Sequence, residues 1–199
     1  MSKRYSLLLF AILPLVIIGA VLAFADYNYN QSFLSYKLPD AGSGPTTDSS
    51  YVGIPKHVSI PAIGVESSIE PAGLASDGTL AVPKGPYDVT WYNLGPRPGQ
   101  QGSAIISGHY GPWISGSNSV FDKLGNLKPG DKIYITDENG KTLTFYVTKT
   151  KTYGLNDTPS EVFAKDDGAY LNLVTCHGDW LKDQKTYTNR LVVFTVLEN

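Results

Sequence analysis

The chain has 199 residues, 42% of them hydrophobic and 17% charged, with 20 glycines and 13 prolines, a balance that suits one turn-rich globular domain plus accessory segments. Its formal net charge is -2, and no block of lysine or arginine follows Lys3-Arg4, which argues against a nucleic-acid partner. The one cysteine, Cys176, excludes an intramolecular disulfide.

Lys3 and Arg4 precede an uncharged apolar run over residues 5–25. About 20 apolar residues span the hydrocarbon core as a helix, and a membrane helix tolerates a proline such as Pro14. The basic pair before the run and Asp26 after it place the N-terminus in the cytoplasm. Residues 1–25 therefore read as one transmembrane helix in the cell membrane, single-pass, with everything after it outside. Ala23-Phe24-Ala25 also matches a signal-peptide cleavage site, although a signal's apolar core is typically about 7–15 residues. Either reading exports the rest of the chain.

Residues 26–52 read as an extracellular linker, rich in Asn, Gly, Ser, Pro and Thr and without apolar periodicity. From 53 to 199 the pattern is mostly β. Val58 and Ile60 alternate with polar neighbours, as do Ile133 and Ile135. Leu143, Phe145 and Val147 oppose Thr142, Thr144, Tyr146 and Thr148. Ala104-Ile105-Ile106 is a short apolar run, Leu171, Leu173 and Thr175 alternate, and residues 191–196 are rich in β-branched side chains. Asp137-Glu138-Asn139-Gly140 lies between two strands as a hairpin loop. Short helices are expected over residues 119–124, capped by Asn118, and over 159–164, with Pro159 in the first turn. Seven or eight strands of this kind predict an antiparallel barrel or sandwich.

The exported part holds one thiol, three histidines (His57, His109, His177) and two arginines (Arg97, Arg190). A nucleophilic cysteine needs its thiolate, which an adjacent histidine or arginine favours. A histidine can also protonate a leaving amine, and an oxyanion intermediate needs donors. Cys176 is expected to end a strand, an exposed place for a reactive side chain. Taken alone it fits a buried structural cysteine equally well. His109, in Ser107-Gly108-His109-Tyr110-Gly111, fits a base or a surface-loop histidine. Arg190, expected to begin the last strand, fits an oxyanion donor or a solvated edge arginine. His177 would point away from Cys176 if the strand continues, and His57 reads as a solvated or core-edge residue. Trp113 and Trp180 follow the His and Cys segments, either lining a groove or packing. With no CxxC or HExxH spacing, no metal or cofactor site is expected.

Leu173-Val174-Thr175-Cys176 resembles the TLxTC-type signature of the sortase family, and Ser107-Gly108-His109 resembles the segment carrying the sortase histidine. Arg190 follows in the family's order. Ile60-Pro61-Ala62-Ile63-Gly64-Val65, Pro98-Gly99-Gln100-Gln101-Gly102-Ser103 and Val120-Phe121-Asp122-Lys123-Leu124 also resemble sortase segments. The likeness covers residues 53–199. It implies an eight-stranded sortase-type β-barrel and a cysteine transpeptidase that cleaves an LPxTG-like motif between Thr and Gly. The acyl group is held as a thioester and passed to an amine acceptor such as a cell-wall peptide. By that resemblance Cys176 is the nucleophile, His109 the general acid/base, and Arg190 the residue that positions substrate and stabilises the oxyanion. Trp91-Tyr92, Pro98-Gly99 and Leu173–Cys176 look closest to classes F or E. A cysteine hydrolase of the same fold and a non-catalytic barrel binding wall peptides are the competing readings. Leu38-Pro39-Asp40-Ala41-Gly42 resembles LPxTG with Ala for Thr, as a chance match or as a tethered pseudosubstrate.

Overall fold

Regular alternation becomes strand wherever it occurs. Ile133 and Ile135 lie on β5 (Lys132–Asp137), and Phe145 and Val147 on β6 (Thr142–Gly154), all four buried. The two strands pair antiparallel around the expected hairpin, where the Asp137 carboxylate accepts the N–H groups of Asn139 and Lys141 at 2.9 Å each. The remaining strands are β1 (Pro55–Ile60), β2 (Val65–Ala72), β3 (Val89–Tyr92), β4 (Gly102–Gly108), β7 (Ala169–Leu181) and β8 (Thr186–Leu197). They close as a barrel in the order β1-β2-β3-β4-β7-β8-β6-β5.

This computed structural model describes residues 52–76, 78–113 and 116–198. The chain divides into two units, Met1–Asp48 and Ser49–Asn199, and every described residue belongs to the second. The expected helix over residues 1–25, the linker up to residue 51 and Leu38–Gly42 lie outside the described residues. Among the described residues no helix is long and apolar enough to cross a membrane; the helical pieces are 3-10 turns of three residues. The expected single-pass placement in the cell membrane is therefore corrected: the part of the chain that is described offers no span to carry it.

The barrel is mixed rather than antiparallel. The β2–β3 and β4–β7 pairs are parallel. A parallel neighbour needs a crossover of a dozen or more residues, and the long connection over residues 73–88 supplies one between β2 and β3. The β4–β7 pair is joined by a still longer path, through β5 and β6. The interior is filled by Val58, Ile60, Ile106, Ile133, Phe145, Leu171, Leu173 and Val193, none measurably exposed, with Phe121 and Leu124 packed among them. A second cluster lies on the outer side of the sheet, where Tyr92, Ile105, Val192 and Phe194 meet Tyr153 and Val162. Strand β4 is thus covered on both faces and buried at every position, which explains its unbroken apolar run.

Residues 119–123 form no helix, a 3-10 turn following only at Leu124–Asn126, and the helix expected over 159–164 is reduced to a 3-10 turn, Ser160–Val162. In the first region the chain makes tight turns, the Asp122 N–H bonding to the Ser119 carbonyl at 3.1 Å and the Leu124 N–H to the Phe121 carbonyl at 3.0 Å, each three residues back. In the second, the Val162 and Phe163 N–H groups bond three residues back, and the Asn172 side chain donates to the Val162 carbonyl at 2.7 Å.

Candidate active site on strands β4, β7 and β8

Strand β7 does not end at Cys176. It runs on to Leu181 because β8 returns beside it and keeps its backbone paired as far as Leu181↔Thr186, with one irregularity between His177 and Trp180. Arg190 likewise lies inside β8 rather than opening it, between β7 and β6, and is the direct cross-strand partner of Cys176. Directly opposite residues have Cβ atoms about 4.5–5.5 Å apart.

The β4–β7 register holds a constant offset of 67 residues, from Gly102↔Ala169 to Ser107↔Val174. The Thr175 hydroxyl extends it by donating to the Gly108 carbonyl at 2.8 Å. His109, one residue beyond β4, therefore stands level with Cys176. The row His109–Cys176–Arg190 thus crosses the end of β4 and strands β7 and β8 at one height. Inner positions on these strands are Ile106, Leu173 and Leu191; Ile105, Val174 and Val192 belong to the outer cluster. By alternation Cys176 and Arg190 point to the outer face. All three side chains are partly buried.

His109 Nε2 lies 2.7 Å from the Pro83 carbonyl. A carbonyl only accepts, so Nε2 carries the hydrogen and Nδ1 is left as the basic nitrogen of the neutral ring. The ring tilts against Trp113, centroids 4.9 Å apart. Gly108 cannot gain a side chain without striking Phe121, and Gly111 has φ +87° with the Tyr187 hydroxyl where a Cβ would sit. The two glycines thus let the His109 segment turn off β4 between Phe121 and Tyr187.

Burial pushes the Cys176 thiol above its ordinary range, and the Arg190 guanidinium opposes that shift without cancelling it. Arg190 donates through Nη1 to the carbonyls of Tyr187 (3.1 Å) and Asn189 (2.9 Å), and through Nη2 to the Thr186 hydroxyl (3.0 Å). Tyr187 packs edge-on against Tyr110 and Trp180, centroids 5.2 and 5.1 Å away; burial, then Tyr110, Cys176 and Asp122, raise its phenol.

His177 faces away from Cys176 by strand alternation and packs on Tyr110. His57 is remote, on β1 beside Glu66, its Nε2 3.5 Å from the carboxylate. Arg97 donates to the Val52 carbonyl at 2.8 Å, away from the row. Among the described residues no three His, Cys, Asp or Glu side chains converge as a metal site requires. Sequence reasoning missed the Pro83 carbonyl, Thr186 and Tyr187. Nothing in their local sequence marks them, because each acts through a contact that only the barrel creates.

A family model described as the sortase domain matches residues 58–198. No curated protein matches the chain. Among solved structures, sortase C1 of Streptococcus agalactiae in complex with MTSET is 21% identical, with a TM-score of 0.59, covering 92% of this chain and 90% of that one. Sortase A of Listeria monocytogenes is 22% identical, with a TM-score of 0.55, covering 74% of this chain and 89% of that one. The sortase D5 transpeptidase of Clostridium perfringens is 22% identical, with a TM-score of 0.54, covering 74% and 79%. At these identities the structures speak for the fold.

Proposed function

The chain belongs to the sortase family of cysteine transpeptidases, and from that premise we propose that Cys176 is its nucleophile, His109 its general acid/base and Arg190 its oxyanion donor, acting on an LPxTG-like sorting motif. The observation that carries this reading is the single row of these three residues across β4, β7 and β8.

The chemistry follows from the geometry. Since the thiol is held in its protonated range, attack requires its proton to leave. Nδ1 of His109 receives that proton as Sγ bonds to the carbonyl carbon of the motif's threonine. The negative charge that forms on the carbonyl oxygen faces the Arg190 guanidinium, a preorganised donor. The C–N bond to glycine then breaks and His109 returns its proton to the leaving amine, leaving a thioester on Cys176. An incoming amine repeats the sequence in reverse: its proton passes to His109, the new amide forms, and the Sγ–C bond breaks. The acceptor is an amine of the cell wall. Residues 53–199 are the catalytic domain.

On the same face, four to six residues back along β7, a groove of about 630 Å³ is lined by Tyr170, Asn172, Phe194, Glu161, Lys149 and Lys165. At about 3.3 Å per residue it lies roughly 13–20 Å from Cys176, within reach of an extended acyl chain. The resemblance of the Trp91-Tyr92, Pro98-Gly99 and Leu173–Cys176 segments supports placing the chain with class F or class E in this reading.

The test compares wild type with Cys176→Ala on LPxTG and LAxTG peptides with hydroxylamine or triglycine as acceptor. Wild type is expected to give ligated product faster than hydrolysed product, and Cys176→Ala neither. Activity surviving in Cys176→Ala would overturn the assignment. Hydrolysis outrunning ligation would make the enzyme a cysteine hydrolase, and peptide binding without turnover in wild type would make it a silent barrel.

A further inference from the structure

Arg190 is held in an unusual way for a partly buried cation. Three of its five N–H donors go to neutral oxygens at the start of its own strand: the carbonyls of Tyr187 and Asn189 and the hydroxyl of Thr186. Among the described residues, no carboxylate forms a salt bridge with it. The difference matters electrostatically. A carboxylate would fix the guanidinium and also neutralise it. Neutral acceptors fix it and leave the full charge directed at whatever faces it, and Cys176 sits directly opposite.

Two of the three acceptors are backbone carbonyls, set by the path of β8. The third is a side chain. Thr186 lies opposite Leu181 at the hairpin end of the β7–β8 pair, where the ladder has just recovered from the irregularity after His177. Its hydroxyl alone engages Nη2; the two carbonyls both engage Nη1. Without it the planar guanidinium is held at one corner and free to swing about the Nη1 contacts.

Resting on the proposed role of Arg190, we infer that Thr186 is a positioning residue for the transpeptidation reaction, its hydroxyl orienting the Arg190 guanidinium toward Cys176 and the reacting carbonyl. Tyr187 supports the same arrangement: its carbonyl is one of the acceptors, and its ring is wedged between Tyr110 and Trp180 with the hydroxyl against Gly111. The segment carrying His109 and strand β7 therefore press on one ring of the strand that carries Arg190.

The test uses the whole chain and an LPxTG peptide with triglycine. Thr186→Val keeps the shape of the side chain and removes the acceptor. An interaction felt by the oxyanion lowers kcat and kcat/KM together, here by about tenfold, the scale of one hydrogen bond to a charged group, with KM little changed. The pH midpoint of Cys176 alkylation by iodoacetamide should rise in Thr186→Val, less than in Arg190→Ala. Thr186→Ser should restore both readouts. In Arg190→Ala the further change Thr186→Val should cost nothing, since the group it orients is gone. The inference is overturned if Thr186→Val matches wild type while Arg190→Ala is impaired. It is equally overturned if Thr186→Val impairs Arg190→Ala as much as it impairs wild type, the mark of a merely structural role. If Arg190→Ala itself retains full activity, the assignment of Arg190 fails and the positioning role falls with it.

Discussion

Cys176 is under two opposing influences, and their balance can be measured. Burial raises its thiol and Arg190 lowers it, with burial dominant. Alkylation needs the thiolate, so its rate should climb with pH to a midpoint above that of an ordinary free thiol, about 8.5. Arg190→Ala removes the influence that opposes burial and should move that midpoint higher, slowing alkylation at any fixed pH below it. Arg190→Lys keeps a charge and should hold the midpoint near wild type. Turnover should separate the two variants less. Arg190→Ala is expected to lose roughly 10²-fold or more in kcat, the scale for an oxyanion donor. Lysine cannot reproduce the fork that meets the Tyr187, Asn189 and Thr186 oxygens, so it should recover only part of that loss. Gly111 is the other position where one atom matters. At φ +87°, with the Tyr187 hydroxyl in the place of a Cβ, Gly111→Ala should destabilise by about 1–3 kcal/mol through backbone strain and overpacking, read as a drop in Tm. Activity should fall further than the Tm alone explains, because the same shift moves His109 and Tyr187.

At the scale of elements, the connection between β6 and β7 is pinned by one carboxylate. Glu161, in the 3-10 turn, meets Lys149 Nζ at 2.7 Å, Lys151 Nζ at 2.5 Å and the Tyr153 hydroxyl at 2.6 Å, all on β6. Those hydrogen bonds, Lys149 first, hold its carboxyl down at about 2. A folded value below the unfolded one means stability that is present above the ordinary carboxylate range and lost as pH falls toward 2. Glu161→Gln should therefore lower Tm at pH 7, and the gap to wild type should close between about pH 5 and pH 2. A constant gap would assign the effect to packing of Val162 on the outer cluster instead. This pin was invisible in the sequence, as was the 3-10 form of the turn. The helix expected over residues 159–164 rests on Pro159 and local composition, whereas the fold spends Val162's carbonyl on Asn172. The strands were legible where one face is wet, as on β5 and β6, because alternation is a local signal. The parallel pairing was not, because antiparallel and parallel strands share the same alternation. The candidate site was legible in part for the same reason. The 67-residue gap between His109 and Cys176 was visible as a number, but its meaning is the β4–β7 register, which local pattern does not contain. Arg190 was visible as a residue near the last strand; its place opposite Cys176 is set by the β7–β8 ladder running past the cysteine.

For the whole molecule, barrel closure is what puts distant segments into one site, and β1 is the strand that completes it. It pairs with β2 on one side and with β5 on the other, and contributes Val58 and Ile60, both fully buried, to the interior. A chain starting at Ser49, where the second unit begins, keeps every described strand. It should unfold in one cooperative transition by calorimetry and keep the peptide-ligation rate of the full chain. Starting instead after Ile60 removes β1. That leaves β2 and β5 each with an unpaired edge and loses two side chains worth about 1.5–3 kcal/mol apiece from the core. A domain's net stability is only about 5–15 kcal/mol, so these losses, added to the broken ladders, are enough to unfold it. The shorter fragment should show no cooperative transition and no ligation, although His109, Cys176 and Arg190 all remain in its sequence. If it kept a folded transition and activity, β4, β7 and β8 would form a self-sufficient catalytic sheet, and the dependence of the site on closure argued from the strand order would be wrong.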